Sequence, residues 1–282
     1  MTIIQVRDLS FTYAGSSKPA LKNVNISVEK GEFVLVVGPS GGGKSTLLRC
    51  LNGLIPQFYE GEYSGKVVVD GLEPDKTPTY MMSQVIGMVF QNPQNQLFAL
   101  SVEADIAFPL ENLGLPRDEI IQRVEEAMEL LNITHLRDRS PFELSGGQQQ
   151  RVAIASVLAI KPKILAMDEP TSFLDPLTAA QLLSIIDDVR KRLQLTVLLV
   201  EHRVELAAAK ADRIVVVSDG CVVFDGSPRD FFEFYDSHLY GVSAPKVTSL
   251  TKRLKTHLEK WNRVCLSAEE FEAEVRSLVS HL

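Results

Sequence analysis

The chain has 282 residues, 45% of them apolar and 23% charged, enough to bury a substantial core within one large, subdivided domain. Its 29 basic and 36 acidic residues leave a formal charge of -7, which argues against a broad nucleic-acid surface; basic pairs such as Lys191-Arg192 and Lys252-Arg253 read as solvated helix faces. Cys50, Cys221 and Cys265 lack metal-ligand spacing and fit a reducing compartment, no signal peptide is recognised, and no stretch nears the roughly 18 apolar residues of a membrane span, so any membrane connection is expected through a partner.

From Ile3 to Val28 short alternating strands flank the turn Ala14 to Pro19, the pattern of an antiparallel layer. Phe33 to Val37 is a continuous apolar strand running into Gly38-Pro39-Ser40-Gly41-Gly42-Gly43-Lys44-Ser45-Thr46, which has the spacing G-x-x-x-x-G-K-[ST] and continues as a helix through Leu51. Glycines without Cβ atoms let backbone N–H groups close around phosphate oxygens, and the helix N-terminus adds partial positive charge. Lys44 is expected to reach the β- and γ-phosphates and the Ser45 hydroxyl to ligate Mg2+. A glycine-rich turn with a chance lysine would not need the strand before it and the helix after it.

Lys66 to Asp70 reads as a strand with a turn at Gly71, and Val85 to Phe90 as a core strand followed by Gln91. Between Gln96 and Ala159 the period becomes helical, with Ile120, Ile121, Val124, Met128 and Leu131 forming one stripe. Leu144-Ser145-Gly146-Gly147-Gln148 has the makings of a second phosphate site. Ser145 can act as an N-cap, the glycines permit close backbone approach, and Gln148 to Leu158 continues as a helix whose positive end faces the ligand. Ile164 to Met167 is a strand ending in Asp168, placed to hold Mg2+, and Glu169, a general base or water-orienting group. The buried-type strand Thr196 to Val200 is followed closely by His202, and strand carboxyl ends are where ligands bind in open α/β sheets. Ile214 to Val217 and Val222 to Phe224 supply further strands, and the alternation of strands with helices implies a mostly parallel sheet flanked by helices. Beyond Pro228, Val247, Leu250, Leu254, Leu258 and Trp261 recur at helical steps, and Ser267-Ala-Glu-Glu270 is a capping box opening a second helix with Phe271, Val275 and Leu278 inward. This pair could fold back onto the preceding domain or pack against a second copy, and Trp261 could be a contact anchor or a local core residue.

The Leu144 to Gln148 pentapeptide, set between the phosphate loop and Asp168-Glu169, resembles the signature of the ATP-binding-cassette (ABC) ATPases, and the likeness runs from about Ile3 to Pro228. It implies an α/β P-loop NTPase fold with a mostly parallel core sheet, an antiparallel β layer and a helical signature subdomain at about 96–159, all within a domain 1–228 that carries a small C-terminal helical extension, 229–282. It also implies ATP and Mg2+ as cofactors and ATP hydrolysis as the activity. On this resemblance Tyr13 matches the aromatic that stacks on adenine, its other reading being an ordinary strand residue. Gln91 matches the glutamine that touches Mg2+ and the attacking water, and His202 the γ-phosphate sensor, with Glu169 as principal base. Ser145, Gly147 and Gln148 would complete the ATP site of a second ABC ATPase subunit, identical or merely related. Asp175, in Ser172-Phe-Leu-Asp175, would lie in the loop that crosses between subunits, where Phe173 is bulkier than the usual small residue.

The segment Gln91 to Phe108 and the helical tail look most like the ATPases of energy-coupling-factor importers, which take up vitamins or ions such as cobalt and nickel. That likeness implies a peripheral subunit on the cytoplasmic face of the cell membrane. Its partners would be an integral membrane coupling subunit and a substrate-binding membrane subunit, with no nucleic acid. Leu97, Phe98 and Leu100 would line the groove for a coupling helix or else belong to the core. The competing class is a soluble ABC ATPase acting on nucleic acid or ribosomes, which usually carries a long coiled-coil insertion or tandem cassettes absent from this sequence.

Overall fold

The computed structural model describes residues 1–257, 261 and 263–280. Strands β1 (Thr2–Tyr13) and β2 (Leu21–Glu29) are joined by a turn over Ala14 to Ala20 and pair antiparallel; alternate residues Val24, Ile26 and Val28 of β2 are buried. Strand β3 (Phe33–Val37) follows, buried at every position, and runs through the glycine loop into helix α1 (Lys44–Leu51) and the short α2 (Leu54–Gln57). Strand β4 (Gly61–Val69) returns to pair with β1, giving a three-stranded antiparallel sheet in the order β2-β1-β4. The single turn α3 (Thr79–Met82) leads to β5 (Ile86–Val89).

Helices α4 (Val102–Asn112), α5 (Arg117–Leu130) and α6 (Gly146–Ala159) then form a layer of their own. Val124, Ala127, Met128 and Leu131 mark the inward face around α5, whereas Ile121 is 51% exposed although its three- and seven-residue steps place it on the Val124–Met128 face: the buried residues of α5 begin only at Val124, and its first turns lie outside the buried core. The chain re-enters the sheet at β6 (Ile164–Asp168), crosses by α7 (Pro176–Leu193) to β7 (Thr196–Val200), and passes α8 (Val204–Ala207) to β8 (Arg213–Ser218) and β9 (Cys221–Gly226). The six-stranded sheet has the order β5-β6-β7-β3-β8-β9, parallel except at β9. No described helix is long and apolar enough to cross a membrane.

A period of two sorts this sheet between two cores. Val34, Val36, Ala166, Leu198, Val200, Val215 and Val217 face α1 and the antiparallel layer; Phe33, Leu35, Val37, Leu165, Met167, Val197 and Leu199 face the helical side. Because β5, β6, β7 and β3 are parallel neighbours, the loops that leave their carboxyl ends open on one edge of the sheet. That edge receives four of the sequence motifs.

After β9 come α9 (Pro228–Phe234), α10 (Lys246–His257) and α11 (Ala268–Ser280). Phe231, Phe232, Val242 and Leu266 are buried in the main core, so this segment folds back onto the domain. The predicted stripe on α10 is only partly observed. Thr248 and Thr251 are the buried residues, Leu250 is 46% exposed, and Val247 and Leu254 are half-buried, because the two threonine hydroxyls are drawn inward by Cys265: Thr248 donates to its carbonyl and Thr251 accepts from its N–H. Leu258 lies outside the described residues. Trp261 takes the local role, packing 5.3 Å from Phe271 and donating its Nε1–H to the Arg263 carbonyl. Phe271, Val275 and Leu278 are half-buried rather than wholly inward. The Ser267 box is half formed: Glu270 N–H donates to Ser267 Oγ, while the Glu270 carboxylate accepts from Leu266 N–H.

Candidate nucleotide site

At the end of β3 the chain must turn back over the first turn of α1, and Gly43, at the N-cap with φ 110°, permits this. A Cβ there would sit 2.6 Å from the Ala20 carbonyl oxygen, closer than any side chain tolerates. Gly41, at φ 74°, has open space where a Cβ would stand, so only the backbone conformation requires glycine there. Pro39, Ser40 and Gly42 complete the curve, closed by a Gly42 N–H to Pro39 carbonyl bond of 3.0 Å. Lys44 folds over this loop, donating from Nζ to the Gly38 and Pro39 carbonyls at 2.9 Å each. Burial holds its ammonium pKa below the ordinary lysine value, partly offset by the nearby Glu169 and Asp168 carboxylates.

Ser45 Oγ donates to Asp168 Oδ1 at 2.9 Å, joining the first turn of α1 to the end of β6. Burial pushes the Asp168 carboxyl upward; the Ser45 bond opposes this, and the adjacent Glu169 charge adds to it. A serine hydroxyl beside a buried carboxylate is a set of hard oxygen donors whose charge is unfavourable without a cation, which fits Mg2+. Thr46 shares a 3.1 Å hydrogen bond with the Tyr13 hydroxyl, and Arg49 Nη1 donates to that same oxygen at 3.2 Å. The Tyr13 ring thereby stands beside the phosphate loop, edge-to-face with Phe11 and Tyr59, while the Arg49 guanidinium lies 4.8 Å from the Tyr59 ring centre.

Glu169 is the meeting point of the other loops. Its φ of +50° lies in the left-handed region that non-glycine residues seldom adopt, a strain held in place by its N–H bond to the Val200 carbonyl. Three donors fix its carboxylate: His202 Nε2 at 2.8 Å on Oε1, Gln91 Nε2 at 2.8 Å on Oε2, and Ser172 Oγ at 3.0 Å on Oε2. The ends of β5, β6 and β7 thus converge on one carboxylate beside Ser45 and Asp168.

Ser145, Gly147 and Gln148 take no part in these bonds. Ser145 caps α6 by accepting from Gln148 N–H, and Gln148 Oε1 accepts from Ser145 N–H at 3.0 Å, a complete capping box. Gly147 lies so close to α7 that a Cβ would meet the Thr178 methyl at 2.5 Å. Asp175 caps α7 by accepting from Leu177 and Thr178 N–H. Of the groove residues, Leu97 is core, whereas Phe98 is 55% and Leu100 92% exposed. Sequence reasoning passed over Arg49, Ser172, Thr171, Glu201 and Arg203. The signal for the last two was two charged residues flanking His202 directly after a buried strand.

This combination of a parallel sheet, a glycine loop entering α1 and acidic residues on the adjacent strand end defines a P-loop NTPase. The chain belongs to the ABC transporter family, whose pattern matches residues 21–172. It is the ATP-binding subunit of an ABC transporter, and it is an ATPase. An ABC transporter ATP-binding protein of Pyrococcus horikoshii is 44% identical over 256 residues, 90% of each chain. The energy-coupling factor transporter ATP-binding protein of Ligilactobacillus salivarius is 40% identical over 253 residues, 89% of this chain and 88% of that one. Among solved structures, cbiO1 from Clostridium perfringens, part of the transporter complex cbiONQ, superposes with a TM-score of 0.77 at 32% identity, covering 92% of this chain and 96% of that one. A dimeric ATP-binding cassette in a post-hydrolysis state with ADP and phosphate gives 0.70 at 30% identity, covering 80% and 99%.

Proposed function

We propose that the chain powers an importer of the energy-coupling-factor type, for a vitamin or a transition-metal ion, from the cytoplasmic face of the membrane. Its partners on this reading are a second ABC ATPase subunit, an integral membrane coupling subunit and a substrate-binding membrane subunit. Two relatives support the type, one named for an energy-coupling factor and one for a cbiONQ complex. Exposed Phe98 and Leu100, with Phe108 4.5 Å from Phe98, offer apolar contacts beside the Gln91 loop for a coupling helix. The overall acidity weighs against the nucleic-acid alternative.

The observation that carries the reading of the site is the clasp of Gln91, His202 and Ser172 on Glu169, one residue from Asp168. Gly38 to Thr46 bind the triphosphate, Lys44 moving from the loop carbonyls to the β- and γ-oxygens, and Tyr13 packs on adenine. Ser45, Asp168 and Gln91 hold Mg2+, which supplies charge neutralisation of the phosphate oxygens. Glu169 takes the proton of the attacking water, Gln91 orients that water, and His202 donates to the γ-phosphate while fixing the Glu169 carboxylate. In a dimer like the ADP-bound cassette, Ser145, Gly147 and Gln148 close the partner's site with the N-terminus of α6.

Replacing Glu169 with Gln is expected to lower the hydrolysis rate at saturating ATP by roughly 100-fold or more, the scale of general-base catalysis, while ATP is retained and a dimer accumulates in light scattering. Undiminished hydrolysis would refute the assignment. Purification from native membranes with identification of the co-purifying subunits tests the importer type; recovery with no membrane protein would count against it.

A further inference from the structure

The Glu169–His202 contact does not stand alone. Two further bonds join the loop that carries Glu169 to the loop that carries His202, one on each side of it. Thr171 Oγ1 donates to Glu201 Oε2 at 2.6 Å, and Arg203 Nη1 donates to the Leu174 carbonyl at 2.7 Å. Glu201 is only 1% exposed, yet its carboxylate is satisfied, because Oε1 also accepts from the N–H groups of His202 and Arg203 at 2.9 and 3.1 Å. The carboxylate therefore sets the backbone turn on which the imidazole sits. On the other side, Glu169 to Leu174 is a folded unit, with Ser172 N–H bonded to the Glu169 carbonyl at 3.2 Å and Leu174 N–H to the Thr171 carbonyl at 3.0 Å. Phe173, 67% exposed, stands at its tip two residues before Asp175.

We infer that Glu201 and Arg203 are positioning residues that lock the His202 turn to the Thr171–Leu174 turn and so hold the His202–Glu169 contact. This inference rests on the roles proposed above for Glu169 and His202. Neither new residue touches the reacting atoms. Glu201 fixes where the imidazole points, and Arg203 makes the exposed loop and the His202 turn move together. A buried carboxylate accepting three donors and a guanidinium on a backbone carbonyl are strong, directional links, suited to holding a catalytic pair within the small tolerance that proximity effects demand. A loose connection would let the exposed loop shift without moving His202.

The test is steady-state ATP hydrolysis by the full-length chain carrying Arg203→Met, Arg203→Lys, Thr171→Val or His202→Ala, and the His202→Ala/Arg203→Met pair, alongside binding of a fluorescent ATP analogue and thermal melts. Arg203→Met is expected to lower kcat roughly tenfold or more with ATP affinity unchanged within about twofold. Arg203→Lys, which keeps a donor, restores most of that loss, and Thr171→Val, which frees Glu201 Oε2, lowers kcat in the same way. In the His202→Ala background Arg203→Met adds little further loss, since its effect runs through the imidazole. Unchanged kcat in Arg203→Met overturns the inference. So does a full additive loss in the double variant, or a fall in ATP affinity and melting temperature in proportion to kcat. Glu169→Gln serves as the control: if it hydrolyses ATP normally, the site reading itself has failed, whereas an inactive Glu169→Gln beside a normal Arg203→Met rejects only the positioning role.

Discussion

Lys44 spends its two donor bonds on the Gly38 and Pro39 carbonyls, so a phosphate ligand exchanges neutral acceptors for charged ones. Bonds to charged groups contribute about 1.5 to 3 kcal/mol each, and Lys44→Ala is expected to weaken ATP binding by roughly 10- to 100-fold in equilibrium titration. Asp105 provides a residue-level test by pH. It is buried, accepts from Phe98 and Ala99 N–H at 3.1 and 3.2 Å, and so shapes the loop that exposes Phe98 and Leu100. Burial pushes its carboxyl upward and the two N–H bonds pull it down, with the upward push larger. A raised folded-state value means that the contribution of Asp105 is fully present below the ordinary carboxylate value and is lost as pH rises through the folded value. As pH falls from neutral toward about 4, wild type should therefore gain stability relative to Asp105→Asn. Melts of both proteins across that range check this, and a gap moving the other way would contradict it. At this scale Lys44, Ser45, Asp168 and Glu169 were legible, because each occupies a fixed offset from a strand end. Glu201, Thr171 and Arg203 were not: their roles depend on which loop lies beside which.

Among the elements, α6 is the one whose start carries two functions. Its capping box satisfies N–H groups that would otherwise be unpaired, and the same N-terminus is the proposed phosphate contact of the signature. Ser145→Ala is expected to cost about 1 kcal/mol, a fall in Tm of roughly 2 °C for a chain of this size, together with a loss of hydrolysis. Ser145→Asp separates the two functions. A carboxylate still caps the helix, so the melt is preserved, while its charge opposes phosphate and hydrolysis is lost. Retained hydrolysis in Ser145→Asp would remove the serine from phosphate binding. The strands were read from apolar runs that tolerate little ambiguity, since β3, β6 and β7 are buried on both faces. Amphipathic helices were read less well. On α10 two threonines won the inward positions from Leu250, because the Cys265 backbone offered them both a carbonyl and an N–H.

For the molecule as a whole, the segment beyond β9 is held to the domain by its buried residues, and within it Arg229, at the start of α9, links α9 to the start of α11. Arg229 Nη2 pairs with both oxygens of Glu270 at 3.0 and 3.1 Å, and Nη1 donates to the Val264 carbonyl. Arg229→Ala is expected to raise amide hydrogen exchange in α11 about tenfold or more while α6 exchange stays unchanged, since one to two charge-assisted bonds are lost locally. Equal exchange in both helices would show that α11 is held by packing alone. The sequence by itself determined the strand and helix types, the phosphate loop and the acidic strand end, because these rest on local period, burial and covalent spacing. Only the tertiary structure decided that Gln91, His202 and Ser172 close on Glu169, that Tyr13 hydrogen-bonds Thr46, and that the C-terminal helices return to the core. The Gln91–Glu169 contact joins residues 78 apart, and no local propensity encodes the strand order β5-β6-β7-β3 that brings Gln91, Glu169 and His202 to one edge.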